Sequence, residues 1–219
     1  MNTEKGFIFD LDGVIVDTAK FHFLAWKKAA ATFNFELTLE HNEQLKGVSR
    51  IDSLKKILNW ANTSVSQEEF DELAANKNSD YLTYVDKMTE DDILPGVREI
   101  LAEIKANNFP IALGSASKNA PKILQKVGIM DLFDAIVDGN SVSKAKPDPE
   151  VFLIAADKIN VAPEKCIVFE DAEAGIEAAN SAKMISVGLG NEQNLKEADY
   201  NFSSFTEITF NFLKQLQPK

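Results

Sequence analysis

A short apolar run that stops at a carboxylate constrains the fold more than any other stretch of the chain. It is Phe7-Ile8-Phe9-Asp10, followed by Leu11-Asp12-Gly13-Val14. Strand-forming residues end where the acids begin, so Asp10 is expected at the carboxyl end of a buried strand. In an open α/β sheet, ligands bind outside the carboxyl ends of the strands. Asp10 and Asp12 would then stand at the mouth of a site, where paired carboxylates can supply a nucleophile, a general acid/base and a metal ligand. The same eight residues also describe a plain strand closed by an Asp-Gly turn, and only the rest of the chain separates the two.

From Leu94-Pro95-Gly96 onward, helical and strand patterns alternate. Helices are expected at 97–105, 120–127, 149–159, 174–182 and 206–215, with strands at 110–114, 135–138, 166–169 and 184–187. This alternation is the mark of a doubly wound parallel sheet with helices on both faces. Between the first strand and this series lies a stretch with helical periodicity only. It runs from Thr18 to about Phe33, with Phe21, Leu24, Ala25 and Lys28 at helical spacing, and continues through a face of Leu54, Ile57, Leu58 and Ala61. Ser66-Gln67-Glu68-Glu69 has the pattern of a helix start. The expected organisation is an α/β core of residues 1–16 and 89–219 with an inserted helical cap of residues 17–88. A chain of 219 residues is long enough for both.

The formal net charge of -11 argues against nucleic acid and anionic membranes as partners, since both reward a basic surface. It does not argue against a small anion, because local cations override the overall field. No apolar run approaches membrane-spanning length, and the first residues lack a signal pattern, so a cytoplasmic location is expected. The one cysteine, Cys166, precedes Ile167-Val168-Phe169 and is expected to be a buried, inert thiol.

Three expected strands end in polar residues of different kinds. Asp10 ends the first. Ile111-Ala112-Leu113-Gly114 leads into Ser115-Ala116-Ser117-Lys118-Asn119, and Ile167-Val168-Phe169 into Glu170-Asp171. If the strands are parallel, these tips share one edge. The serine-rich tip suits either a phosphate oxygen or ordinary helix capping. Glu170-Asp171 suits either a hard cation such as Mg²⁺ or the acidic first turn of a helix. Lys146, in Lys144-Ala145-Lys146-Pro147-Asp148-Pro149, could neutralise Asp10 and a phosphoryl group, or could simply be solvated.

Taken in order, Asp10-x-Asp12-Gly13-Val14, Ser115, Lys146-Pro147 and Glu170-Asp171 resemble the four motifs of the haloacid dehalogenase superfamily. Three further segments resemble its β-phosphoglucomutase branch: Asp17 to Lys27, Asn42 to Arg50 with Asp52-Ser53-Leu54, and Ser115 to Asn119. Ala172 departs from the pattern, where the family often has serine. The resemblance implies an Mg²⁺-dependent phosphomutase that interconverts β-glucose 1-phosphate and glucose 6-phosphate through an aspartyl phosphate and β-glucose 1,6-bisphosphate. A sugar-phosphate phosphatase is the alternative. It implies Asp10 as nucleophile and Asp12 as general acid/base, with Thr18 and His22 positioning Asp12, and Ser115 and Lys146 holding the phosphoryl oxygens. Mg²⁺ would be held by Asp10, the Asp12 carbonyl and Asp171, with Glu170 bound directly or through water. The sugar phosphate would meet Asp12, His22, Gly47, Val48, Arg50, Lys77, Ser117, Lys118 and Asn119. Trp26 is expected in the core and not in the site, and a monomer is expected because the cap must swing.

Overall fold

The computed structural model describes residues 5–217. Six strands form one parallel sheet: β1 (Gly6–Phe9), β2 (Ile111–Gly114), β3 (Ala135–Val137), β4 (Cys166–Glu170), β5 (Ile185–Leu189) and β6 (Tyr200–Phe202), in the order β3-β2-β1-β4-β5-β6. Four helices lie between β1 and β2 in sequence: α1 (Ala19–Ala31), α2 (Leu39–Glu43), α3 (Arg50–Trp60) and α4 (Gln67–Val85). A fifth, α5 (Val97–Ala106), leads into β2, and α6 (Ala120–Lys126), α7 (Glu150–Lys158), α8 (Glu173–Ser181) and α9 (Phe210–Gln215) follow.

The central strands are buried on both faces, as a parallel sheet covered by crossover helices must be. Side chains alternate across it. Phe7 and Phe9 enter one hydrophobic cluster with Phe169 and Leu113, while Ile8 enters the other with Val168 and Phe152. Phe9 and Phe169 stack at 4.6 Å between ring centroids. A third cluster, built on Trp26, Leu37, Leu54, Ile57 and Leu58, holds α1 to α4 together.

Strand register places the site. Phe9 pairs with Leu113 on one side and Phe169 on the other. The residues that follow, Asp10, Gly114-Ser115 and Glu170-Asp171, therefore leave the sheet at the same level and edge. The strand order runs outward in both directions from β1 and β4, which makes this edge the topological switch point of the sheet.

Five details depart from or sharpen the expectations. Leu24 is exposed, because α1 buries the adjacent face of Ala25, Trp26, Ala29 and Ala30. Residues 200–202 form a sixth strand at the sheet edge, where a short run with partial exposure gives no clear alternation. The last helix begins at Phe210, capped by Thr209, and residues 205–207 form a separate 3-10 turn. Ser66 caps α4 in a reciprocal capping box with Glu69, as its pattern indicates. Cys166 is buried, and burial, with Glu164 beside it, pushes its thiol up to about 12, which leaves it unreactive.

Candidate active site

Lys146, in the loop between β3 and α7, reaches the tips of β1 and β4. Its Nζ donates to Asp10 Oδ1 at 2.6 Å and to Glu170 Oε1 at 2.6 Å, and all three side chains are buried. Burial raises the Asp10 carboxyl well above the usual range, and Glu170 and Asp12 add to this, while Lys146 opposes it. Burial alone would lower Lys146, but the two carboxylates outweigh it and hold the ammonium form above its ordinary pKa. The Lys146–Pro147 peptide is cis.

Asp10, Glu170 and Asp171 each bring a carboxylate oxygen within 4.8 Å of the others. Asp171 is pushed up to about 7, first by burial and then by Glu170, with Lys46 opposing. Crowded acids of this kind fit a divalent cation that takes oxygen ligands. The backbone makes room for the carboxylates. Gly13 has φ +81°, and a Cβ there would run into the Asp171 carboxylate; a Cβ at Gly175 would run into that of Glu170. Both Glu170 oxygens already have partners, Lys146 Nζ and the Ala172 amide, the latter at 2.8 Å. The Asp12 side chain lies outside the cluster and turns toward the cap.

There the Thr18 hydroxyl donates to Asp12 Oδ1. Thr18 precedes α1 and is fully buried. The His22 amide donates to the Thr18 carbonyl at 3.0 Å, which puts the two side chains one turn apart. His22 Nδ1 lies 2.9 Å from Lys77 Nζ, and its Nε2 lies 3.8 Å from Asp12 Oδ1, too far for a hydrogen bond. Burial, then Lys77 and Arg50, hold the imidazole well below its ordinary pKa, so it is neutral at pH 7. When Lys77 is an ammonium it donates to Nδ1, and the proton of the neutral ring is then on Nε2, the nitrogen nearer Asp12.

A cavity of about 450 Å³ joins these groups to the cap. Lys77, on α4, is buried beneath it, with Nζ 4.5 Å from the ring centre of Trp26 and 5.0 Å from that of Tyr81. Burial and Arg50 lower Lys77 to about 7, against the pull of Asp12. Arg50, the first residue of α3, lines the cavity half-buried and makes no ion pair among the described residues. Lys118, Ser117 and Asn119 line the core side with Ser115. The Ser117 amide donates to Ser115 Oγ at 3.1 Å, and the Asn119 amide to Ser117 Oγ at 3.3 Å, so the loop after β2 is wound tightly on its own hydroxyls. Asn119 Nδ2 crosses to Asn78 Oδ1 on α4 at 3.0 Å. Gly47, at φ +69°, and Val48 also line the cavity, and a Cβ on Gly47 would meet Ala172 at 3.3 Å, so cap backbone comes close to the core here. All the residues expected at the site except Thr18 and Glu170 line this cavity. Those two lie behind it, bonded to Asp12 and Lys146.

The family model of the haloacid dehalogenase-like hydrolases matches this chain over residues 4–183. The chain belongs to that family. Among these hydrolases, a β-phosphoglucomutase of Bacillus subtilis is 45% identical over 213 residues, covering 96% of this chain and 94% of that protein. The crystal structure of a β-phosphoglucomutase from Clostridium difficile superposes with a TM-score of 0.93 at 46% identity, covering 96% of each chain. A phosphorylated-carbohydrate phosphatase of Thermotoga maritima is 32% identical over 177 residues, 80% of each.

Four residues of this haloacid dehalogenase-like site were not among those expected. Lys46 Nζ lies 3.4 Å from Asp171 Oδ2 and 3.1 Å from Glu43, a cation from the cap placed on a core carboxylate. Asn78 holds Asn119. Trp26 is core, as expected, but its face also seats Lys77 and lines the cavity. The Tyr81 ring lies against that of His22, tilted by 34°, with the ring centres 4.2 Å apart. Lys77 and Tyr81, four apart on one helix, carried a weak signal; the others meet the site only through tertiary contact.

Proposed function

We propose that the chain is an Mg²⁺-dependent phosphomutase that interconverts β-D-glucose 1-phosphate and D-glucose 6-phosphate through an aspartyl phosphate on Asp10 and β-glucose 1,6-bisphosphate. Residues 17–88 act as a cap over a core of residues 1–16 and 89–219, in a cytoplasmic monomer. One observation carries this reading. A single cavity is lined both by Asp10, Lys146 and Ser115 and by Arg50 and Lys77, and Arg50 makes no ion pair among the described residues, which supports one place for a transferring phosphate and another for a phosphate that is only held. A hydrolase of small phosphates needs only the first. A mutase must hold a bisphosphate either way round, and needs both.

Asp10 Oδ attacks phosphorus and the bond to the sugar oxygen breaks, with Asp12 donating a proton to that oxygen. In the reverse transfer Asp12 takes the proton from the other sugar hydroxyl. General acid/base help of this kind is worth about 10²–10⁴-fold. Lys146 and Ser115 neutralise and orient the phosphoryl oxygens. Asp10, Asp171 and the Asp12 carbonyl would hold Mg²⁺, with Glu170 contributing through its place beside them; the ion, when bound, offsets charge on the transferring group. Arg50 grips the phosphate that is not transferred, bidentately, with Lys77, Lys118, Ser117 and Asn119. Gly47 and Val48 bring backbone to the sugar. His22 and Thr18 position Asp12, Thr18 by holding it in the resting arrangement, and closure of the cap keeps water from the aspartyl phosphate.

The test is phosphorus NMR of β-glucose 1-phosphate with protein, Mg²⁺ and a trace of the bisphosphate. Glucose 6-phosphate should replace the substrate without inorganic phosphate. Inorganic phosphate without glucose 6-phosphate would replace this reading with that of a phosphatase.

A further inference from the structure

Two buried polar atoms beside Asp12 form no hydrogen bond among the described residues, His22 Nε2, 3.8 Å from Asp12 Oδ1, and the Tyr81 hydroxyl, and the mechanism above uses only the first. Tyr81, one helical turn after Lys77 on α4, is 1% exposed, lines the cavity and lies against the His22 ring. Its hydroxyl is buried and forms no hydrogen bond among the described residues. Asp12 and the Thr18 hydroxyl interact with it electrostatically, His22 lies against the Tyr81 ring at 4.2 Å, and Lys77 Nζ lies 5.0 Å from the ring centre. Burial, reinforced by Asp12, keeps the phenol protonated far above neutral pH, so it is a neutral donor and acceptor throughout. Native interiors seldom retain a hydroxyl in this condition. Phenylalanine would fill the same space without the desolvation cost.

Thr18 supplies the reason. It is fully buried, and its one hydroxyl proton is donated to Asp12 Oδ1. Suppose that Asp12, held on Oδ1 by Thr18, turns its carboxylate from Thr18 when it acts on a sugar oxygen. That would strand the Thr18 hydroxyl in a dry environment, as the Tyr81 hydroxyl is stranded beforehand. The two costs cancel if the stranded hydroxyls pair. We propose that Tyr81 is a positioning residue whose hydroxyl takes over the hydrogen bond of Thr18 when Asp12 turns to the substrate. In the resting arrangement Thr18 bonds Asp12 and Tyr81 waits. In the engaged arrangement Thr18 bonds Tyr81 and Asp12 bonds the sugar. The count of protein hydrogen bonds stays constant, so Asp12 moves at little cost. The inference rests on Asp12 as the acid/base.

A double-mutant cycle on the full chain tests it, with kcat, KM and Tm measured for Tyr81→Phe in three backgrounds: wild type, Thr18→Val and Thr18→Ser. Tyr81→Phe in the wild type should lower kcat about five- to tenfold, the kinetic worth of one neutral hydrogen bond. KM should stay within about twofold, and Tm should hold or rise, because an unpaired buried hydroxyl is removed. In Thr18→Val the same change should cost less than about twofold; in Thr18→Ser, which keeps the hydroxyl, the full loss should return. Thr18→Ala replaces Thr18→Val if that variant fails to fold. Equal losses with and without the Thr18 hydroxyl, no loss in the wild type, or a loss carried by KM would each overturn the proposal. Wild-type turnover, measured first, tests the mutase reading separately. If the wild type hydrolyses sugar phosphate instead, the cycle is read on hydrolysis, since Asp12 protonates the leaving oxygen in both reactions.

Discussion

Lys77 Nζ lies 2.9 Å from Nδ1 of His22, an ammonium donating to a neutral imidazole in a buried pocket of the cap. Burial and Arg50 bring Lys77 to about 7, so at pH 8 it is largely neutral until an anion arrives. Binding of a sugar phosphate at pH 8, where the phosphate itself is fully ionised, should take up a proton. Calorimetry in buffers of different ionisation enthalpy measures it, and Lys77→Met should abolish it. The sign for stability follows from the same shift. The folded value lies below the ordinary 10.5, so the penalty of charging Lys77 is complete below pH 7 and fades between 7 and 10.5. Lys77→Met should therefore stabilise the protein more at pH 6 than at pH 10.

Lys146 is the cation between two buried acids, Asp10 and Glu170. Lys146→Met leaves both without it. In metal-free buffer at pH 7, urea unfolding should show a loss of about 3–5 kcal/mol. The loss should shrink as pH falls, because the folded variant then binds more protons than the unfolded chain. Turnover should drop by about 10²–10³-fold even with metal restored.

The two acids after β4 should differ in their effect on metal binding. Glu170 has both oxygens engaged, by Lys146 and by the Ala172 amide, whereas among the described residues Asp171 has Lys46 as its one ion-pair partner. Asp171→Asn should weaken Mg²⁺ or Mn²⁺ binding, titrated by calorimetry, more than Glu170→Gln does. Equal losses would make Glu170 as direct a ligand as Asp171.

Arg50 should matter only when a second phosphate is present. Arg50→Ala should reduce mutase turnover about 100-fold, the worth of a bidentate charged contact. Hydrolysis of acetyl phosphate, which has no second phosphate, should change less than about twofold.

The core half of the site could be read from the chain because each of its residues ends an apolar run. Asp10, Ser115 and Glu170 follow Phe9, Gly114 and Phe169, and parallel register brings such tips to one edge without further information. Lys146 was legible only in their company, since the sequence around it reads as an ordinary proline loop. The cap half was not legible from periodicity. Arg50 and Lys77 lie on polar helices where a solvated charge would look the same, and only the family resemblance pointed to them. Lys46 on Asp171, Asn78 on Asn119 and the unpaired Tyr81 hydroxyl come from the approach of α2 to α4 toward the core, which local pattern does not encode. In the fold, β6 escaped because three half-exposed residues at an edge carry no alternation, and Leu24 because α1 buries a face one residue away.

The most direct measurement follows the phosphoryl group itself. Enzyme labelled with ³²P at Asp10 is mixed with β-glucose 1-phosphate and Mg²⁺, quenched within milliseconds, and its label divided between sugar phosphates and inorganic phosphate. The label should appear first in β-glucose 1,6-bisphosphate and then in glucose 6-phosphate. Label passing straight to inorganic phosphate, at the same rate with and without the sugar, would contradict transfer from Asp10 between the two ends of a sugar.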